Sequence, residues 1–263
     1  MNYSFVLAGS AVAFFFLLLL AIRFGRWLGR NGNAEDRGTA GSAAIEASVF
    51  ALLGLLIAFT FSGAAQRMAD RRNLLVTEVN AIGTAWLRID LLNAEDQPQL
   101  REQFRRYVDE RVNYYKHVAD LGQRDAIATK VGNIQNEIWK SSIAAGKHAV
   151  PPFAASYIAS VNDMFDVSTA QTVAQKIHPP IVTYLFLGFL AVVCACLIGF
   201  NLAGAKRDTL FHQIIYALVM AVALYIIVDF EFPRIGAIRI DQSDTLLMTQ
   251  RQAMGGVVAD AVK

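Results

Sequence analysis

The stretch "GLLIAFTFSGAAQRMADRRNLLVTEVNAIGTAWLRIDLL" (54–92) decides how this chain is read. It passes from an apolar run into an amphipathic pattern, and from Ala64 onward it contains no proline and one glycine, Gly83. The apolar part, about Ala43–Ser62, is long enough to cross a bilayer, which takes roughly 20 apolar residues. Nothing in the sequence stops the helix where that run ends. Residues 43–92 are therefore expected to form one helix, roughly 75 Å long at about 1.5 Å per residue.

The rest of the chain has the same character. Of 263 residues 55% are hydrophobic and only 17% charged, with a mean hydropathy of +0.38, too apolar for an ordinary soluble domain. Three further segments have spanning length: Tyr3–Ile22, about Ile181–Ala203 and about Leu210–Val228. The first is not a signal peptide. It has no basic residue ahead of it, and Arg23, Arg26 and Arg30 follow it without a convincing cleavage site. Between spans two and three the pattern stays helical. "NAEDQP" breaks the long helix, with Asp96 as N-cap and Pro98 in the first turn of the next. That helix is expected to run to about Leu121, with Gly122 as the residue after its cap. Others should cover about Asp125–Ala145 and Phe153–Lys176, the last stopping at "HPP" (178–180). No alternating strand pattern occurs.

The expected fold is an all-α membrane protein with four transmembrane helices and a helical extramembrane domain inserted between spans two and three. Its parts are 1–42 (first span and basic loop), 43–92 (second span continuing as a long helix), 93–180 (helical domain), 181–230 (spans three and four) and 231–263 (a tail with a short amphipathic helix). Enzyme chemistry is not expected. The four histidines are scattered, no HExxH, CxxC, phosphate-binding glycine loop or GxSxG is present, and neither cofactor nor metal is implied. Cys194 and Cys196 point about 200° apart on a helix, so they can neither bond nor chelate together. A net charge of +2 gives no basis for nucleic-acid binding.

Within span two, Ala43, Ala47, Ala51, Gly54, Ala58 and Ser62 recur at helical spacing as a small-residue stripe, which lets helix backbones approach closely in lipid. About 100° round the helix stand Phe50, Leu53, Ile57 and Phe61. These large residues either face lipid and the bundle core, or form a constriction that gates by dewetting.

Residues 54–92, together with "HPP" (178–180) and "DFEFPRIGAIRIDQ" (229–242), resemble the bestrophin-like family of bacterial membrane proteins, over about 43–245. That family is named for a remote likeness to bestrophins, oligomeric anion channels whose second span lines an apolar neck. The resemblance implies a homo-oligomer, pentameric in bestrophins, and favours Leu53, Ile57 and Phe61 as the constriction, while the small-residue spacing itself makes Ala47, Ala51, Gly54 and Ala58 packing positions. Two departures stand out. Bestrophins carry a dense acidic, calcium-binding run after the fourth span, where this chain has only Asp229 and Glu231; their neck also contains a proline, which span two lacks.

Beyond the span, Glu78 shares an apolar stripe with Leu75, Ile82, Ala85, Ile89 and Leu92, so it must find a cation or take up a proton. Asn80, Thr84 and Arg88 lie along another face, either solvent-exposed or, for Asn80 and Arg88, at a vestibule that attracts an anion. Spans two and four exit on the same side. An ion-pair belt is therefore expected, Asp229 or Glu231 with Arg71 or Arg72, and Glu78 with Arg234. The short loops carry Arg23, Arg26, Arg30 and Arg37, then Lys206 and Arg207, which by the positive-inside rule places the helical domain outside the cytoplasm of a bacterial inner-membrane protein. Arg67, Arg71 and Arg72, and the bestrophin resemblance, favour the reverse. Two functions fit: an oligomeric channel passing small inorganic ions, anions foremost, or a non-conducting membrane scaffold or sensor whose helical domain binds a partner. Membrane lipid is a partner in either case.

Overall fold

The computed structural model describes residues 3–31, 40–117, 121–204, 210–232 and 241–255. All secondary structure among them is helical: α1 (Tyr3–Asn31), α2 (Ala40–Arg88), α3 (Gln97–Lys116), α4 (Leu121–Gly146), α5 (Pro151–Ala174), α6 (Ile181–Asn201), α7 (Leu210–Glu231) and α8 (Asp241–Ala253), with short 3-10 turns at Ile89–Leu91 and Leu202–Gly204. Four of these helices, α1, α2, α6 and α7, are long and apolar enough to cross a membrane.

The chain divides into two compact units, Met1–Met68 with His178–Ile238, and Ala69–Ile177 with Arg239–Lys263. The division falls inside α2, because a unit is defined by what its side chains pack against and not by where a helix ends.

In the first unit α1 packs against α6 and α7. Glycine makes the α1–α6 contact possible. A Cβ on Gly25 would lie 2.0 Å from the carbonyl oxygen of Cys196, and one on Gly199 would lie 2.0 Å from that of Ile22. The two backbones touch, as small residues permit between helices in lipid. Leu18, Ile22, Leu53, Leu187, Ala191, Cys194 and Ala217 fill the core around this contact.

The second unit is built from large side chains. Ile82, Trp86 and Ile89 from the far part of α2 and its following turn meet Phe104, Tyr107 and Tyr114 of α3, Ile134 and Ile138 of α4, and Tyr157 and Met164 of α5. Pro98 sits in the first turn of α3, but Asp96 makes no side-chain cap bond. Helix α3 ends earlier than its sequence suggests. The His117 N–H closes it on Asn113 and Tyr114, while Gly122 lies inside α4. Tyr114 and Tyr115 are the last residues by which α3 is anchored in the core, so packing stops there. Helix α8 packs on α3: Arg251 donates to Asp109 at 2.8 and 3.1 Å, and Arg105 donates to the carbonyls of Met254 and Gly255. Gly255 has φ +66°, the left-handed backbone that ends helices and that glycine adopts without strain.

Candidate functional site

Helix α2 turns one face to its own unit and leaves the other bare. Leu53 and Ala64 are buried, Ile57 is half-buried, and Phe50 is intermediate. About 120° to 180° from Leu53 by helical phase, Ala47, Ala51, Ala58 and Ser62 are all exposed, as is Gly54 beside them. The small-residue stripe thus faces away from the core of its own unit. Of the three constriction residues, Leu53 is 1% exposed and packs in the core, so it does not face an opening in this chain. Phe61, at the edge of the bare face, is exposed and rests against Phe230 with ring centroids 5.5 Å apart. Among the candidate spans α2 is the least covered, 6% of its apolar window being buried against 22–28% for the others.

At the end of α7 a charged cluster closes the first unit. The Glu231 side chain is buried; Arg67 Nε donates to its Oε1 at 2.7 Å, and His178 Nδ1 lies 3.5 Å from its Oε2. The imidazole stacks on Phe232 at 4.7 Å. Asp229 is also fully buried. Arg67, one turn before Arg71, thus supplies a cation to Glu231. In the second unit Arg71 donates to the carbonyls of Ala174 and Ile177 at 3.1 and 2.9 Å, closing the C-terminal end of α5 and the turn after it, and Arg72 is exposed.

Glu78 is held within the second unit. Its Oε1 accepts from Arg111 Nε at 2.6 Å and its Oε2 accepts from the Tyr115 hydroxyl, which also accepts from Arg111 at 2.8 Å. Both side chains of the ion pair are at most 2% exposed. The Arg111 guanidinium lies over the rings of Tyr114 and Tyr115 at 5.2 and 5.0 Å, adding cation–π attraction. Burial opposes its charge, but the Glu78 carboxylate with Tyr115 and Tyr107 outweighs that and holds its pKa well above the usual value. Burial likewise raises the Tyr107 hydroxyl. Glu78 thus takes Arg111; the expected Arg234 lies outside the described residues. Arg111 carries a signal that reading α2 alone does not use. It stands in the apolar face Leu100, Phe104, Tyr107, Tyr114 of α3, just as Glu78 stands in that of α2. Lone opposite charges inside apolar stripes of two helices point to each other.

The vestibule pair divides. Asn80 is exposed, whereas Arg88 is half-buried and donates to the Ser156 carbonyl at 2.9 Å, which anchors α5. No group of three or more His, Cys, Asp or Glu side chains that could hold a metal occurs among the described residues.

A bestrophin-like domain model matches residues 9–245, almost the whole chain. The chain belongs to the bestrophin-like family. Solved structures agree at the level of fold. A bacterial bestrophin homologue from Klebsiella pneumoniae, in a form with one tryptophan replaced by alanine, superposes with a TM-score of 0.70 at 16% identity, covering 94% of this chain and 96% of that one. A leucine-to-threonine form of the homologue gives 0.67 at 16%, covering 94% and 97%. A structure described only as a membrane protein, with glycine replaced by alanine, also gives 0.67 at 16%, covering 93% and 95%. Curated protein sequences gave no match. As a bestrophin-like protein with four apolar helices of spanning length, the chain is a membrane protein.

Proposed function

We propose that the chain assembles as a homo-oligomeric ion channel, selective for anions, with α2 arranged around the axis. The observation that carries this reading is the bare face of α2, the least covered of the four spans. Apolar helix surface left open by its own chain is covered by lipid or by other copies. A small-residue stripe suits close approach of helices.

The constriction is assigned to the large residues flanking that stripe, Leu55 on one side and Phe61 on the other, both exposed. A ring of such groups gates by dewetting. Leu53 is left out, and Ile57 sits at the margin of the core. Farther along α2, the exposed residues Asn73, Thr77, Asn80 and Thr84 are neutral and polar. Amide and hydroxyl donors attract an anion without trapping it as a fixed charge does. The vestibule role is therefore kept for Asn80 and withdrawn from Arg88. Membership of the bestrophin-like family supports conduction, and nothing in the bare face calls for enzyme chemistry.

The test is conductance of purified protein in planar bilayers. Phe61→Ala and Leu55→Ala should raise the current over wild type, and Leu53→Ala should lower stability without opening the pore. A protein that stays oligomeric and carries no current in any form would leave the scaffold reading.

A further inference from the structure

The far end of α1 carries three arginines that pair with none of the described residues. The helix has no charged residue from Tyr3 to Ile22, and then Arg23, Arg26 and Arg30 follow before it ends at Asn31. By helical phase the three fall within about 60° of one another and cover about 10 Å along the axis, comparable to the headgroup layer outside a bilayer's hydrocarbon core. The adjoining face is fixed, with a Cβ on Gly199 2.9 Å from the Arg26 backbone nitrogen. Gly25 lies against the Cys196 backbone, and a Cβ on Gly29 would come within 2.7 Å of the Phe200 carbonyl oxygen. With α1 pinned to α6 in this way, Arg23 and Arg30 stay exposed and Arg26 stands at the edge of the helix contact.

None of these arginines forms an ion pair or hydrogen bond with a described residue. Arg23 and Arg30 are exposed, while the Nε of Arg26 is shielded from solvent with no acceptor. A shielded donor without an acceptor is costly, so a ligand that supplies one is favoured. The nearby carboxylate of Glu46 on α2 is engaged by the Asn201 side-chain amide. Beside the arginines, Phe24 and Trp27 stack at 5.8 Å, both more than half exposed, as aromatic residues are at the membrane–water boundary.

We propose that this end of α1 is a binding site for the phosphate of an anionic lipid headgroup, with Arg23, Arg26 and Arg30 bonding its oxygens and Trp27 and Phe24 lying along the glycerol and upper acyl chain. Guanidinium forks bond phosphate oxygens two at a time. The position at the end of a span brings lipid phosphate to them without a search through solution. A zwitterionic lipid offers the same phosphate but brings a cation with it, which the three arginines repel.

The full-length protein with Trp86→Phe and Trp139→Phe keeps Trp27 as its one tryptophan, excited selectively over the tyrosines. It is to be placed in mixed bilayers containing phosphatidylglycerol or phosphatidylcholine with brominated acyl chains. Each basic residue near an anionic surface raises affinity about fivefold, so brominated phosphatidylglycerol should quench Trp27 at about a tenth or less of the mole fraction that phosphatidylcholine needs. High salt should narrow that gap. Arg23→Gln, Arg26→Gln and Arg30→Gln together should abolish it, and three lysines in their place should retain part of it. Equal quenching by the two lipids, or an unchanged gap in the triple glutamine variant, would overturn the site. Loss of the gap on adding millimolar inorganic phosphate would also overturn it, in favour of a soluble anion. Should the tryptophan variants fail to fold, native mass spectrometry of the unaltered protein decides: retention of phosphatidylglycerol over phosphatidylcholine supports the site, and no preference overturns it.

Discussion

The two units of this molecule hold their helices together by different means. In the first, α1 and α6 meet backbone to backbone at Gly25 and Gly199, and the core around them is filled by Leu, Ile, Ala and Cys. In the second, helices are kept apart by Phe104, Tyr107, Tyr114 and Tyr157, and a fully buried Glu78–Arg111 pair lies among them. The difference follows the solvent each sequence suits. Between helices in lipid no hydrophobic force acts, so contact area has to come from close approach. Large apolar groups stabilise a core by leaving water, and the aromatic rings are buried in that way in the second unit. Once rings surround a carboxylate, it must have its cation in the same place.

The sharpest way to break this contrast is to remove that cation. Arg111→Met leaves Glu78 buried and unpaired and should cost about 3–5 kcal/mol. Adding Glu78→Leu should recover most of the loss, since a buried ion pair is often replaced by apolar groups at little cost. Chemical denaturation in detergent reads both, and a double variant no better than the single one would mean that the carboxylate is not the source of the strain. The corresponding change in the first unit is Gly199→Ala. Its methyl group would meet a backbone oxygen that cannot rotate away, so a loss of ~1–3 kcal/mol or more is expected. Gly54→Ala is the control, since a Cβ there meets nothing within 4 Å of its own chain. It should be neutral or stabilising, and a cost confined to the oligomer would mark the face where another copy closes.

Arg67→Gln tests the intermediate case, a pair in which Glu231 is buried and Arg67 is about a third exposed. Its cost should fall between the ~0–1 kcal/mol of a surface bridge and the loss of a fully buried one, about 1–2 kcal/mol by thermal unfolding. The smallest effect belongs to Tyr157, whose hydroxyl bonds Ser142 at 2.9 Å. Tyr157→Phe should cost ~0.5–1.5 kcal/mol at neutral pH. Burial pushes the Tyr157 hydroxyl from 10 up to about 12, against the opposing Ser142 bond. The folded state therefore keeps a proton that the unfolded chain gives up first. That contribution is whole below pH 10 and is lost as pH rises through about 12. The phenylalanine variant should lose less stability than wild type across this alkaline window.

Much of the fold was legible because membrane spans are read from length and apolarity alone, and α2 could be seen running on past its span because no helix breaker follows Ser62. The end of α3 was harder to read. Gly122 looks like a helix terminator, yet it lies inside α4, because a glycine ends a helix only where tertiary contacts also end. Candidate partners were legible by residue type and less so by identity. That Glu78 needs a cation follows from one stripe on one helix; that the cation is Arg111 requires knowing which helix faces α2. Arg67 and Arg71 differ by a single helical turn, yet Arg67 bonds the Glu231 carboxylate while Arg71 bonds the carbonyls of Ala174 and Ile177.

By itself the sequence determined the all-helical class, the four spanning segments and the small-residue stripe of α2. Each depends on local composition and on a period of 3.6 residues, which neighbours do not alter. Only the tertiary structure decided which way that stripe faces and that Leu53 belongs to the core. It alone tied Arg88 to a carbonyl and gave Arg23, Arg26 and Arg30 no partner among the described residues. These are questions of which face meets which. Their answer depends on contacts between different helices, such as Gly25 with Cys196 or Arg88 with Ser156, which periodicity along a single helix does not carry.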